Sequence, residues 1–84
     1  MTERWMIHLP VVTNDLLSAQ RLARVVAHWT QILPQVDPGG TTVSAEDDQN
    51  SRHWVFCDRN MPDGRRCRLW PDHDGACSRR PRRR

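Results

Sequence analysis

The chain has no lysine, no C-x-x-C pair and no hydrophobic run of membrane length. A membrane helix needs about 18 or more consecutive apolar residues, so none is expected. The N-terminus lacks a basic region followed by an apolar core and a small-residue cleavage site. No signal peptide is therefore expected, and the expected compartment is a reducing cytoplasm. Three cysteines are an odd number, which argues against a self-contained disulfide framework. Gly39-Gly40 stands alone and forms no glycine-rich phosphate loop, and no serine sits in a nucleophile-elbow context. Glu46, Asp47 and Asp48 are adjacent acids in a polar stretch and read as a solvated turn. No catalytic residues are expected, and the chain reads as a non-enzyme.

All 13 basic residues are arginines. With the tryptophan content, this points to a GC-rich coding bias and not to a function. Five of the arginines fall in the last six residues: Arg79, Arg80, Arg82, Arg83 and Arg84. Outside them, eight arginines face ten acids, which leaves a body of net charge −2. The basic pI thus describes the tail and not a basic folded face. The run 79–84 cannot build a packed core and is expected to be disordered.

With 84 residues, the chain is one domain at most, and so small a core calls for a staple. Residues 4–12 alternate, with Trp5, Ile7, Leu9 and Val11 on one face and Met6 and His8 on the other, which predicts a first strand. Pro10 confines it to an edge. Residues 14–33 predict a helix capped by Thr13, Asn14 or Asp15. Its apolar stripe is Ala19, Leu22, Val26, Trp29 and Leu33, widened by Val25 and Ile32. Arg21, Arg24, His28 and Gln31 fall outside the stripe and are expected in solvent. Pro34 stops the helix.

Pro38-Gly39-Gly40 is a turn, 41–45 a second strand with Val43 inward, and 46–51 a polar turn. Residues 52–57 predict a third strand, with Trp54 and Phe56 on one face and His53, Val55 and Cys57 on the other. The expected class is α+β: a small β-α-β-β sheet-plus-helix body over 1–56, then a zinc-stabilised β-hairpin and loop over 57–77. Together these form one compact domain, 1–78.

The chemistry concentrates in Cys57, Cys67, His73 and Cys77, spaced C-x9-C-x5-H-x3-C. Three thiolates and one imidazole make a closed tetrahedral site for structural Zn²⁺. Met61-Pro-Asp-Gly64 is a turn that brings Cys57 and Cys67 together across a hairpin. His73 and Cys77 come from a tight loop or a single helical turn, and Gly75 between them favours a turn with unusual dihedrals over a regular helix. His53 is a reserve ligand. Asp72 or Asp74 is placed to accept the second ring N–H of His73, or is simply a solvated turn residue. The alternatives to a metal are reduced buried thiols, or one bridge with a spare thiol.

The segment from Cys67 through Leu69 and His73 to Cys77 resembles a C-x-L-x-x-x-H-x-G-x-(H or C) pattern of small zinc-finger-like proteins of actinobacteria and their phages. Cys57 upstream fits that pattern, and Cys77 stands where it often has His. The resemblance covers the last third of the chain. It implies a metal-binding element and an actinobacterial or phage source, and no particular activity.

Two partner classes are expected. The first is a protein, with the metal element as scaffold and the chain acting as a phage-type modulator that occupies a site on a host machine. Trp5, Trp29, Trp54 and Trp70 are candidate anchors. Core packing is the competing reading for the first three, and Trp70 is the one expected to be exposed. The second class is nucleic acid, bound through phosphates by Arg79, Arg80, Arg82, Arg83 and Arg84, with Arg65, Arg66, Arg68 and Trp70 extending the surface. No membrane contact is expected.

Overall fold

The computed structural model describes residues 2–79. Arg80, Arg82, Arg83 and Arg84, predicted to contact nucleic acid or a partner, lie outside the described residues, as does most of the expected disordered tail.

One helix and one two-stranded antiparallel sheet make a small α+β body. Helix α1 runs Leu16–Thr30. Its cap is Asp15, which has extended backbone and accepts a hydrogen bond from Ser18 N–H at 2.7 Å. That bond satisfies one of the free donors of the first turn and holds the Asp15 carboxyl below its ordinary pKa.

The helix stops three residues before Leu33. Pro34 has no N–H to offer the Thr30 carbonyl. Leu33 N–H takes that carbonyl instead, at 3.0 Å, closing a tighter turn. A single 3₁₀ turn comes next, at Pro38–Gly40.

Strand β1 is Thr42–Ala45 and β2 is Asp48–Trp54. Thr42 pairs with Trp54, Val43 with His53 and Ala45 with Asp48, with an irregularity between Val43 and Ala45. The loop between them is only Glu46-Asp47, so β2 begins four residues earlier than the aromatic and β-branched run predicts. Short loop closure, not side-chain propensity, sets where it starts. β2 also ends sooner. Val55 N–H still reaches Thr41 O at 3.3 Å, and the chain then bends. The bend breaks the predicted alternation. Val55 and Phe56 are consecutive yet both buried, while Trp54 is exposed.

Two expectations fail. Residues 4–12 form no strand among the described residues. Alternation prescribes a strand only where an edge accepts it, and Pro10 removes one of the donors such a ladder needs. Trp5, Ile7 and Leu9 stay exposed, and an ion pair at 3.0 Å ties Arg4 to Asp37.

The second failure is the facing of α1. Its buried contact is Ala27, 2 % exposed, packed with Ala23 against Val55, Phe56 and Val43. Trp29, predicted inward, is 71 % exposed, and Leu22, Val25 and Leu33 are exposed too. The polar residues of the opposite side do the docking. Gln20 Nε2 donates to Trp54 O at 3.1 Å, and Arg24 donates to Val55 O at 2.7 Å and to Arg68 O. The small side chains of Ala23 and Ala27 let the bend at Val55–Phe56 come close, and Arg24 and Gln20 reach its free carbonyls. A stripe of Leu and Trp would hold that backbone away and leave those carbonyls without donors.

Candidate metal centre

The Cys57–Leu69 stretch is the expected hairpin. Cys57 N–H bonds to Leu69 O at 2.7 Å, Asp58 N–H to Cys67 O at 3.0 Å and Cys67 N–H to Arg59 O at 2.9 Å. Asn60 and Arg66 form a bridge, and Met61 N–H to Arg65 O at 2.7 Å closes the turn. Asp63 supports the turn by accepting from Arg65 N–H at 2.9 Å. These bonds place Cys57 and Cys67 across from each other. Asp58, beside Cys57, takes a left-handed φ of 57°, which Asp tolerates better than most residues.

His73 and Cys77 arrive on an irregular loop, as expected. Gly75 has φ +79°, so the four-residue spacing is closed by a left-handed turn and not by a helix. Arg68 N–H to Ser78 O, 2.8 Å, fastens the end of this loop back to the hairpin.

The four side chains converge. One ligand atom from each of Cys57, Cys67, His73 and Cys77 lies within 4.8 Å of the other three, which positions them to bind a metal ion. The Cys57 and Cys77 sulfurs are 3.9 Å apart, and His73 Nε2 is 3.5 Å from Cys67 Sγ and 3.8 Å from Cys77 Sγ. Sulfurs 3.9 Å apart are not bonded, since a disulfide is about 2.05 Å, and all three cysteines are free. Cys67 is buried, and the other three ligands are half-buried.

Charge makes the same point. Burial pushes the Cys67 thiol up, but hydrogen bonds from the Leu69 and Ser78 backbone and from the Cys77 and Cys57 thiols outweigh it and bring it to about 7. Its thiolate then holds the Cys77 proton through a hydrogen bond and, with burial, raises Cys77 to about 11. Clustered thiols ionise together only if a cation joins them. His73 is oriented for that role: Nδ1 lies 3.3 Å from Asp74 O, so a proton on Nδ1 leaves Nε2 facing the sulfurs. The outer partner is thus a main-chain carbonyl and not the Asp72 or Asp74 carboxylate. His53, the reserve ligand, is exposed and outside the cluster, because the bend after Trp54 turns Cys57 away from it.

The predicted contact residues within the described part each find a partner of their own. Arg65 is exposed and reaches Asp63, and Arg66 donates to Asp58 O at 3.2 Å. Arg79 donates to Arg66 O at 3.4 Å. Arg68 lies over Phe56, 5.4 Å from the ring centroid. Trp70, expected to be the exposed tryptophan, is half-buried, while Trp5, Trp29 and Trp54 are exposed.

Arg24 explains the position of Trp70. Its guanidinium lies 4.6 Å from the Phe56 ring and 4.3 Å from the Trp70 ring, so it bridges the core to the metal segment. Burial pushes the Arg24 pKa down against the pull of Cys67. Sequence reasoning left Arg24 in solvent. The available signal was the polar spacing Gln20, Arg24, Gln31 beside the small residues Ala23 and Ala27.

Comparison with family models, with curated proteins and with solved structures finds no match. No helix among the described residues is long and apolar enough to cross a membrane.

Proposed function

We propose that the chain is a zinc-stabilised, non-enzymatic protein-interaction module of a reducing cytoplasm. Zinc fits the ligand set. With Zn–S bonds of about 2.3 Å and Zn–N of about 2.0–2.1 Å, a tetrahedron has edges of about 3.8 Å between sulfurs and about 3.5–3.6 Å between sulfur and nitrogen. The separations of 3.9, 3.5 and 3.8 Å lie close to those edges. Soft thiolates favour zinc over magnesium or calcium. Four protein ligands leave no position for water, which a catalytic zinc keeps open, so the metal's role is structural.

The observation that carries the interaction reading is the outward stripe of α1. Leu22, Val25 and Trp29, with Ile32 just past the helix end, fall on one side at intervals of three and four residues. Their exposures run from 37 % to 78 %. A helix normally buries such a stripe, and an exposed one marks a docking face. Trp29 at its centre suits an anchor for an apolar groove on a partner protein. Such a face suits a modulator that occupies a site on a host machine.

Two measurements test the proposal. Native mass spectrometry is expected to find one zinc per chain, lost together with folded structure on chelation. Retained folding without metal, with all three thiols freely alkylated, would sink the architecture. For the partner, the zinc-loaded chain and its Trp29→Glu variant are compared as affinity baits, with and without residues 80–84. Capture that survives tail removal and is lost in Trp29→Glu supports the proposal. Equal capture by both baits refutes it, and a dimer in sedimentation that Trp29→Glu breaks assigns the face to a second copy.

A further inference from the structure

A cleft of about 220 Å³ lies between the C-terminal half of α1 and the metal segment. Its polar lining is Arg24, His28, Gln31, Arg68 and Arg79, and no carboxylate lines it among the described residues. Three guanidiniums therefore face one small volume. The C-terminal end of α1 adds a partial negative charge of about half a unit and the Asp58 carboxylate lies beside Arg68, and the three guanidiniums outweigh the two together. His28 Nδ1 and Gln31 Nε2 lie 3.2 Å apart at the same rim.

The donors are only partly used. Arg24 spends two of its N–H groups on the carbonyls of Val55 and Arg68. Arg79 makes one long bond, 3.4 Å, to Arg66 O. Arg68 Nη1 is buried with no hydrogen-bond partner, as is Asp58 Oδ1. Both atoms crowd Gly39, and no hydrogen bond joins them. Arg68 lies over Phe56 with Nη1 buried beside Asp58, so it offers the cleft its charge and not that donor.

We propose that this cleft holds a backbone phosphate of a nucleic-acid strand. A tetrahedral oxyanion fits the volume, and guanidinium forks match its oxygens two at a time. The run of arginines that follows Arg79 in the sequence favours a polymer as the occupant. Arg79 lines the cleft, and Arg80, Arg82, Arg83 and Arg84 come next in sequence. A strand carries many phosphates, which matches a sequence with five arginines in its last six residues, whereas an isolated phosphate uses one site. The apolar stripe of α1 lies on the other side of the helix and takes no part in this site.

The test uses the full metal-loaded chain and a short, fluorescently labelled single-stranded DNA of mixed sequence, read by anisotropy at low salt. Gln31→Glu places a carboxylate in the cleft. Gln49→Glu makes the same charge change on β2, away from it, and both residues are exposed. Gln31→Glu is expected to weaken strand binding about tenfold, the effect of spoiling one charge-assisted contact. Gln49→Glu is expected to change it by less than about twofold, as a distant surface charge should. Arg79→Gln, which leaves the helix end untouched, is expected to lower the salt slope by about one. Inorganic phosphate is expected to shift the Gln31 side-chain amide resonances and to displace the strand. Equal affinities for the two Glu variants with an unchanged slope in Arg79→Gln would overturn the site. Phosphate that shifts Gln31 without displacing the strand would overturn the strand as occupant. So would tighter binding of a phosphorylated peptide of equal charge.

Discussion

Replacing Arg24 with leucine separates two accounts of the same helix. If Arg24 met solvent, as its place outside the apolar stripe implies, the change would be nearly neutral, within about 0.5 kcal/mol. In the folded chain Arg24 instead donates to Val55 O at 2.7 Å and to Arg68 O, and it stacks on Phe56 and Trp70 at 4.6 and 4.3 Å. Losing a charged donor to a part-buried carbonyl costs about 1.5–3 kcal/mol. Two such bonds share one side chain and do not add fully, and each ring contact contributes about 0.5–1 kcal/mol at a partly exposed site. Leucine recovers some apolar burial. The expected loss is about 3–4 kcal/mol, a large part of the total stability of a small domain. Urea unfolding at fixed free zinc measures it, since metal binding is coupled to folding. Arg21→Leu, one turn away and exposed, serves as the control. Arg24→Lys keeps the charge and loses the planar fork, so it should restore less than half of the loss. A midpoint for Arg24→Leu equal to that of Arg21→Leu would refute the bridging role.

Other perturbations bear on the metal and the backbone. His73→Ala or Cys67→Ser is expected to abolish stoichiometric zinc in native mass spectra, whereas Cys77→His retains one ion, because imidazole is also a zinc ligand. Zinc affinity is expected to rise with pH. Cys77, held at about 11, must surrender a proton to the metal throughout the neutral range, and Cys67, held at about 7, must do so only below that pH. The dependence should therefore steepen below about pH 7, and a chelator competition series across that pH checks it. Gly39→Ala puts a Cβ 2.1 Å from Asp58 Oδ1 and is expected to cost about 1–3 kcal/mol in the same urea assay. Asp15→Ala removes the helix cap and should cost about 1 kcal/mol, visible as lower helicity by circular dichroism.

The metal cluster was legible because its information is local. Cysteine and histidine are scarce, their chemistry is specific, and Pro62, Gly64 and Gly75 mark the turns that fold one short stretch back on itself. The helix was legible in existence for the same reason, since the cap candidates Thr13, Asn14 and Asp15 and the stop at Pro34 bracket it. Its facing was not. Apolar periodicity says that one side of a helix prefers to leave water, but here Ala23 and Ala27 admit a closely approaching backbone whose carbonyls need donors. Arg24 and Gln20 supply them, and the apolar stripe is left outside. The alternation over 4–12 failed similarly, because a strand needs an edge and a sequence pattern does not provide one.

The sequence by itself determined the α+β class, the presence of the helix, the hairpin turn and the four residues that cluster as a candidate metal site. Each of these comes from residue type and short-range spacing. The tertiary structure decided which helix face is buried, that Arg24 stacks between Phe56 and Trp70, and that Arg68 and Arg79 meet His28 in one cleft. Those outcomes depend on the bend after Trp54, where main-chain carbonyls from one segment seek donors on another. Such long-range pairing of polar groups leaves no periodic trace in the chain.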